Sequence, residues 1–145
     1  MKDPSTHYRK LENMMRAAPF VAFSEAQVIV GEASAEITLP VKEKLFHAAG
    51  AMHGALYFMA LDNAAFFAVN SLVDDVFVLT TSFTIYLIAP VSEGIVTASG
   101  RVVNRTRSLF YAESMLHDPR GREIARGSGV FMRSKTPLAQ VPGYR

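Results

Sequence analysis

The chain has 145 residues, half of them apolar, and a formal net charge of only +2. This length corresponds to one ordinary domain and is enough to bury a core without disulfides. No cysteine is present, which excludes disulfides, thiolate catalysis and thiolate metal sites. The small basic excess gives no reason to expect a nucleic-acid partner. The first ten residues lack the apolar core of a secretion signal, which predicts a cytoplasmic protein.

The first part of the sequence predicts one helix and then two strands. Asp3 suits the cap and Pro4 the first turn of a helix that reaches about Ala17, and Pro19 is expected to end it, so that residues 1–18 form an N-terminal helix. The strands are predicted at about Phe23–Val30 and Ala33–Val41, with a turn at Gly31-Glu32.

The stretch Ala48–Val73 is apolar and long enough to span a bilayer. Asp62 and Asn63 lie near its middle, however, and a carboxylate at that depth costs about 3 kcal/mol. We therefore predict a helix from about Met52 to Leu72 that is buried inside protein, because its apolar residues occupy every side. No membrane partner is expected.

Four strands are predicted in the C-terminal half. Asp118-Pro119-Arg120-Gly121 has the residue types of a type I turn, so the last two strands should form a hairpin. The tail, residues 135–145, contains two prolines and a glycine and is predicted to be irregular and to lie on the surface. The four strands are expected at about Phe77–Ile88, Gly94–Asn104, Leu109–His117 and Glu123–Arg133.

Small residues recur on one face of three of these strands and suggest how helix and sheet meet. Small side chains let a sheet curve and let a helix approach its backbone closely. The sequence thus predicts a single α+β domain over residues 1–145, in which a curved, mostly antiparallel sheet surrounds the long helix; the alternative is that the glycines mark bulges or edges. The small residues are Ala98, Gly100, Ala112, Ser114, Ala125, Gly127 and Gly129.

Two features of the long helix suggest chemistry rather than packing. Asp62 lies in an apolar surface, where a lone carboxylate must be hydrogen-bonded, paired or protonated. His53-Gly54 stands where the helix begins, and the free N–H groups of a helix start can stabilise an oxyanion. The nine residues from His53 to Asp62 give a net half turn and roughly 13 Å of rise. If both groups are catalytic, they must therefore come from two subunits of a symmetric dimer.

The order of these motifs resembles the hotdog-fold acyl-CoA thioesterases of the phenylacetate-degradation type. It consists of His-Gly at a helix start, an aspartate nine residues after the histidine, a strand reading Thr-x-x-x-x-x-Tyr-Leu-x-x-Pro and another reading Gly-Arg-Glu-Ile-Ala-Arg-Gly-Ser-Gly. The resemblance covers about residues 20–133. It implies a central helix wrapped by an antiparallel sheet, hydrolysis of acyl-CoA and a homodimer, in some members paired again into a tetramer.

The resemblance also implies roles for individual residues. The N–H of Gly54 would polarise the thioester carbonyl, and Asp62 of the partner chain would act as general base or nucleophile. His53 would orient the carbonyl or the base, and Thr80 would position the water or the aspartate. Two positions depart from the family pattern: His47 replaces a frequent asparagine, and Ala55 replaces the second glycine of His-Gly-Gly.

The same resemblance implies a set of substrate contacts. Arg105, Arg107 and Ser108 fall where the family holds the CoA phosphates, and guanidinium and hydroxyl groups suit phosphate; the alternative is that the arginines are solvated turn charges. Tyr57 and Phe58 are candidates for the acyl pocket. The remaining predicted contacts are Ala55, Asn63 and Thr81.

No cofactor is expected beyond the coenzyme A of the substrate, and no metal site is predicted. The nearest histidine pair, His47 and His53, is six residues apart, which is not the spacing of helical metal ligands. Two other functions remain open: a non-catalytic acyl-CoA-binding module, and a hydratase of enoyl thioesters. The hydratase needs a second acid or base, and the long helix offers none.

Overall fold

The computed structural model describes residues 3–145. Its first helix, α1, spans Pro4–Ala17 and is capped by Asp3, whose carboxylate accepts a hydrogen bond from the N–H of Ser5. The helix buries one stripe against the rest of the protein. The buried residues are Leu11, Met14 and Met15.

A second helix, α2, spans Pro19–Ser24 and corrects the prediction of a strand from Phe23. Pro19 ends α1 as expected, but it also fits the first position of a new helix, where its missing N–H has no cost. Glu25 then adopts the left-handed conformation, with φ of 61°, and ends α2. The first strand therefore begins only at Gln27.

Six strands form one sheet with the order β1-β2-β4-β5-β6-β3, in which every neighbouring pair is antiparallel. The edges of the sheet are β1 and β3. The predicted hairpin of the last two strands is confirmed. The strands are β1 Gln27–Gly31, β2 Ser34–Pro40, β3 Val76–Leu87, β4 Ile95–Arg105, β5 Leu109–His117 and β6 Glu123–Pro137.

The long helix α3 spans Gly54–Asn70, and most of its residues are buried. The sheet approaches it closely: a Cβ atom on Gly100 would lie 2.3 Å from the backbone carbonyl of Ala64. In the neighbouring strand, the hydroxyl of Ser114 donates to the carbonyl of Leu61 over 2.8 Å. The small residues of β4 and β5 thus let the sheet wrap around α3, which confirms the predicted α+β hotdog arrangement with its extra N-terminal helix.

The glycines of β6 have a different role from the one predicted. Cβ atoms on Gly127 and Gly129 would collide first with the side chain of Phe83 from β3, at 2.5 and 2.3 Å. The space that they leave therefore accommodates an aromatic ring of the neighbouring strand, and α3 meets the sheet over that ring.

The tail is more ordered than predicted. Strand β6 continues to Pro137, and a short 3-10 turn, Leu138–Gln140, follows. Leu138 is 1% exposed, and the last residues pack against α1. The expectation of an irregular tail is therefore wrong for residues 135–140, whereas residues 141–145 form no helix or strand.

A second 3-10 turn, Glu43–Leu45, precedes α3. Among residues 3–145, no helix has both the length and the apolarity required to cross a membrane.

Candidate active site

The start of α3 leaves one backbone donor free. His53 is the cap: its Nδ1 accepts from the N–H of Ala55 at 2.9 Å, and its carbonyl accepts from the N–H of Leu56 at 2.9 Å. No acceptor for the N–H of Gly54 lies within the described part of the chain. This donor lies at the positive end of the helix, where an anion is stabilised.

The cap also fixes which ring nitrogen of His53 can donate. Because Nδ1 accepts a hydrogen bond, a neutral ring carries its proton on Nε2. The ring is exposed at the start of α3, so Nε2–H can serve as a second donor beside the N–H of Gly54.

Asp62 lies half-buried in the middle of α3 and has one protein partner. The hydroxyl of Thr80 in β3 donates to Oδ1 of Asp62 over 2.8 Å. Burial raises the pKa of Asp62, and the hydrogen bond from Thr80 offsets part of that increase. A carboxylate with a raised pKa is a stronger base, so this environment suits proton abstraction from water near neutral pH.

Helix α3 runs antiparallel to β3, and this direction separates the two candidate groups. Gly54 lies beside the side chain of Leu87, the rings of Phe58 and Phe83 meet at 5.7 Å between centroids, and Asp62 meets Thr80. The aromatic pair thus stands between the free N–H and the carboxylate.

The expectation that Gly54 and Asp62 face opposite sides of α3, based on nine residues and a net half turn, is wrong. From Gly54 itself, eight residues give about 800° of rotation, a net 80°, and about 12 Å of rise. Gly54 and Asp62 are therefore separated mainly along the helix axis, and they do not lie on opposite faces.

A cavity of about 510 Å³, which we call the Asp62 cavity, opens beside the carboxylate. Asp62, Asn63 and Thr80 contribute to one wall, and almost all of the rest is apolar. Much of the remaining wall comes from α1, α2 and the tail. Those segments contribute Met14, Met15, Phe20, Val21, Val141 and Pro142.

Residues 49–125 match the model of the thioesterase superfamily, and this range includes α3, β3, β4 and β5. The chain belongs to the thioesterase superfamily. Membership supports hydrolysis of thioesters as the class of reaction. A protein of Sulfurisphaera tokodaii named "Putative esterase" is 29% identical over 97 residues, which are 67% of this chain and 72% of that protein.

Several solved structures share the fold. The PaaI protein of the Escherichia coli phenylacetic acid degradation operon superposes with a TM-score of 0.83 at 18% identity, over 92% of this chain and 97% of that one. A thioesterase family protein from Silicibacter pomeroyi gives 0.80 at 24% identity, over 87% and 96%. A thioesterase from Haemophilus influenzae gives 0.76 at 17% identity, over 83% and 85%.

Not every predicted residue of this thioesterase-superfamily chain lies at the Asp62 cavity. Tyr57 is buried below the start of α3, where its hydroxyl donates to the carbonyl of Ala89 over 2.8 Å and burial raises its pKa. Phe58 packs against Phe83, and Ala55 is exposed on the first turn of α3. Their predicted role in substrate binding stays a prediction.

Two further predicted contacts flank the Asp62–Thr80 pair. Asn63 lines the Asp62 cavity, and its amide donates to the carbonyl of Met59 over 2.9 Å. Thr81 lies at an irregularity in the pairing of β3 with β6 and donates to the carbonyl of Val130 over 2.9 Å. Thr81 is therefore exposed and directed away from Asp62.

His47 belongs to the Gly54 end of the site. It lies in the exposed loop that leads into α3, and its Nδ1 accepts from the N–H of Ala49 at 3.0 Å. The loop is closed by a bridge between Phe46 and Met52. The structure thus places His47 near the helix start and apart from the Asp62–Thr80 pair.

Arg105, Arg107 and Ser108 lie in and beside the exposed turn between β4 and β5. Neither arginine side chain forms an ion pair within residues 3–145. The strand registers put Arg105 in the same transverse row as Thr80, three strands away, which is about 14 Å. The free guanidinium groups thus share the Asp62 end of the sheet.

The sequence did not predict one part of the Asp62 cavity, namely the wall formed by α1, α2 and the tail. No functional residue was predicted in the N-terminal helix, and the tail was expected to be irregular. No local pattern indicates that Val141 and Pro142 return to this cavity, because the other residues of its wall lie far from them in the sequence.

Proposed function

We propose that this protein hydrolyses acyl-CoA thioesters at sites shared by two subunits. The proposal is carried by one observation: a half-buried carboxylate, Asp62, held by Thr80 in the wall of an apolar cavity, in a helix whose first turn offers a free N–H at Gly54. A base and an oxyanion donor are the two groups that hydrolysis of a thioester needs.

In the proposed reaction the thioester carbonyl oxygen accepts from the N–H of Gly54 and from Nε2–H of His53. Asp62 of the partner subunit takes a proton from water as the water oxygen attacks the carbonyl carbon. The resulting oxyanion is held by the same two donors. Collapse of the intermediate breaks the C–S bond, and the thiolate of CoA takes up the proton that Asp62 received. Direct attack by Asp62 on the carbonyl carbon, followed by hydrolysis of the anhydride, gives the same products.

The edge strand β3 supports the shared site. It is twelve residues long, its outer edge pairs with no strand among residues 3–145, and Leu79, Tyr86 and Leu87 are exposed along it. A long apolar edge strand is a template for pairing with another chain. Antiparallel pairing of two β3 edges about a two-fold axis near Thr84 would bring the Gly54 end of one subunit beside the Asp62 end of the other.

The coenzyme part of the substrate is assigned to the turn between β4 and β5. Arg105 and Arg107 are exposed, free of ion pairs within residues 3–145 and next to the hydroxyl of Ser108. Guanidinium groups bind phosphate through paired charge-assisted hydrogen bonds. These residues would hold the CoA phosphates outside the cavity that receives the acyl group.

Release of CoA from a panel of short, medium, long and aryl acyl-CoAs tests the proposal, with the native protein beside Asp62→Asn. The substitution keeps the shape of the side chain and removes the base, so turnover should fall by about 10² or more. Asp74→Asn is the matched control, because Asp74 is exposed beyond the C-terminal end of α3 and makes the same change of charge.

Two results would overturn the proposal. If Asp62→Asn turned over acyl-CoA as fast as the native protein, Asp62 would have no part in the reaction. Tight binding of acyl-CoA without turnover on any substrate would indicate a non-catalytic binding module.

A further inference from the structure

The wall of the Asp62 cavity is suited to an acyl group without polar atoms at its far end. Of the polar side chains in the wall, Ser24 accepts from the N–H of Ala26 and Asn63 donates to the carbonyl of Met59. Thr80 donates to Asp62. Each of these three side chains thus has one protein partner, and the remaining wall beside Asp62 is made of aromatic, methionine and aliphatic side chains.

The part of the cavity wall that α1, α2 and the tail form is called the distal wall below. It is held in place by contacts between the two ends of the chain and by one contact to α3. Nδ1 of His7 lies 2.7 Å from the hydroxyl of Tyr144, and Nε2 lies 2.8 Å from the carbonyl of Asn70. A Cβ on Gly143, whose φ is +86°, would lie 2.5 Å from the Cβ of Ala17. The tail therefore seats closely on α1 and holds Val141 and Pro142 in the wall.

We infer that the acyl group enters the Asp62 cavity and that α1, α2 and the tail set its length and require an apolar chain end. This inference rests on the proposed function, because it places the thioester carbon beside Asp62. Residues 14–24 and 141–142 lie outside the range 49–125 that matches the family model. The parts of the chain that select the acyl group are thus its own terminal segments, while the matched range carries Asp62 and Thr80.

Two phenylalanines of α2 provide a matched pair of variants. Phe20 and Phe23 are 46% and 48% exposed, and their rings lie 5.9 Å apart, but only Phe20 lines the Asp62 cavity. Phe20→Ala enlarges the cavity, and Phe23→Ala removes an equal ring outside it. Ala18→Leu makes the opposite change, because Ala18 also lines the cavity and the larger side chain fills part of it.

Calorimetric binding of S-alkyl-CoA thioethers, from ethyl to dodecyl, tests the inference without any turnover. We expect the Kd to fall about fourfold for each added CH2 until the chain meets the distal wall. An ω-hydroxyalkyl thioether should bind at least about tenfold more weakly than the alkyl thioether of equal length, because its hydroxyl loses water without gaining a partner. In Ala18→Leu the Kd should stop falling at a shorter chain length than in the native protein, and in Phe20→Ala at a longer one. Phe23→Ala should match the native protein.

The inference is overturned if the Kd does not depend on chain length, or if Phe20→Ala and Phe23→Ala give the same profile. CoA release from the acyl-CoAs of the same lengths separates this failure from that of the proposed function. Length-dependent binding without CoA release contradicts hydrolysis and leaves the assignment of the cavity standing. Hydrolysis together with a Kd that does not depend on chain length supports the proposed function and contradicts the assignment of the cavity.

Discussion

Asp62 stands in an environment that disfavours its charge, and the charge is what catalysis would need. Burial raises the pKa of Asp62, whereas the hydrogen bond from Thr80 favours the ionised form. His53 has a comparable double role, because one ring nitrogen caps α3 and the other is left as a donor. Each group thus has one contact that positions it and, in the proposed reaction, one side that would face the substrate.

Thr80→Val tests the coupling between Thr80 and Asp62. The substitution removes the hydroxyl that stabilises the carboxylate, so the pKa of Asp62 should rise further. Because the base acts in its ionised form, the acid side of the pH profile of kcat/KM should move to higher pH, while activity at high pH is largely kept. Stopped assays of CoA release across the pH range measure this shift.

Thr81→Val is the control for that experiment. Thr81 is the next residue along β3, but its hydroxyl donates to the carbonyl of Val130 and does not contact Asp62. Its pH profile should therefore coincide with that of the native protein. If Thr80→Val also left the acid limb of the pH profile of kcat/KM unchanged, the group whose ionisation sets that limb would not be Asp62.

At the scale of secondary-structure elements, the position of α3 over the sheet depends on one close backbone contact. Gly100 of β4 lies directly under Ala64, so that even a methyl group would overlap the helix backbone. This seating of the helix places both ends of the candidate site, the backbone N–H of Gly54 and the side chain of Asp62. Loss of the contact would shift α3 relative to β3 and separate Asp62 from Thr80.

We expect Gly100→Ala to destabilise the protein by about 1–3 kcal/mol, the usual range for overpacking a close contact. The obstruction is backbone and cannot rotate away, since the added Cβ would lie 2.3 Å from the carbonyl of Ala64. Denaturant unfolding measures the loss. Ser99→Ala, on the exposed face of the same strand, is the control, and equal stability of the two variants would contradict the proposed seating.

Elements with local signals could be predicted from the sequence, and contacts between distant segments could not. The turn at Asp118–Gly121 and the alternation of β5 and β6 depend on neighbouring residues, and the hairpin was predicted with its pairing. The start of β1 was placed too early, because Phe23 fits an apolar alternation as well as it fits a short helix after Pro19. The direction of Gly127 and Gly129 towards Phe83 depends on pairing across strands far apart in sequence.

The site itself divides in the same way. The spacing of Gly54 and Asp62 along one helix is a local property, and the sequence predicts their separation. The wall formed by Phe20 and Pro142 depends on the meeting of both ends of the chain, which has no periodic signature.

At the scale of the whole molecule, the proposed site has two halves, and one chain carries them at the two ends of the α3–β3 contact. The free N–H of Gly54 lies beside Leu87, and Asp62 lies beside Thr80, with the pair of Phe58 and Phe83 between them. Pairing of β3 with its copy would give two complete sites per dimer. Each site would then contain Gly54 from one subunit and Asp62 from the other.

Subunit complementation decides whether the site is shared. Gly54→Pro removes the N–H donor at the first position of α3, where proline is favoured, and His53 already has φ of −63° and ψ of 140°, as a residue before proline requires. Gly54→Ala keeps the N–H and is the matched control. Loss of one oxyanion donor should reduce turnover by about 10²–10³ in Gly54→Pro alone.

Heterodimers of Gly54→Pro with Asp62→Asn, co-expressed with two different tags and purified through both, should recover about half of the native turnover. One of their two sites would combine an intact Gly54 with an intact Asp62, and the other would contain both defects. If each site were formed by a single subunit, both subunits of the heterodimer would carry a defect. Turnover would then stay at the level of the two parent variants. The fraction of native turnover that the heterodimer recovers therefore shows whether each site combines residues from two subunits that meet at the β3 edge.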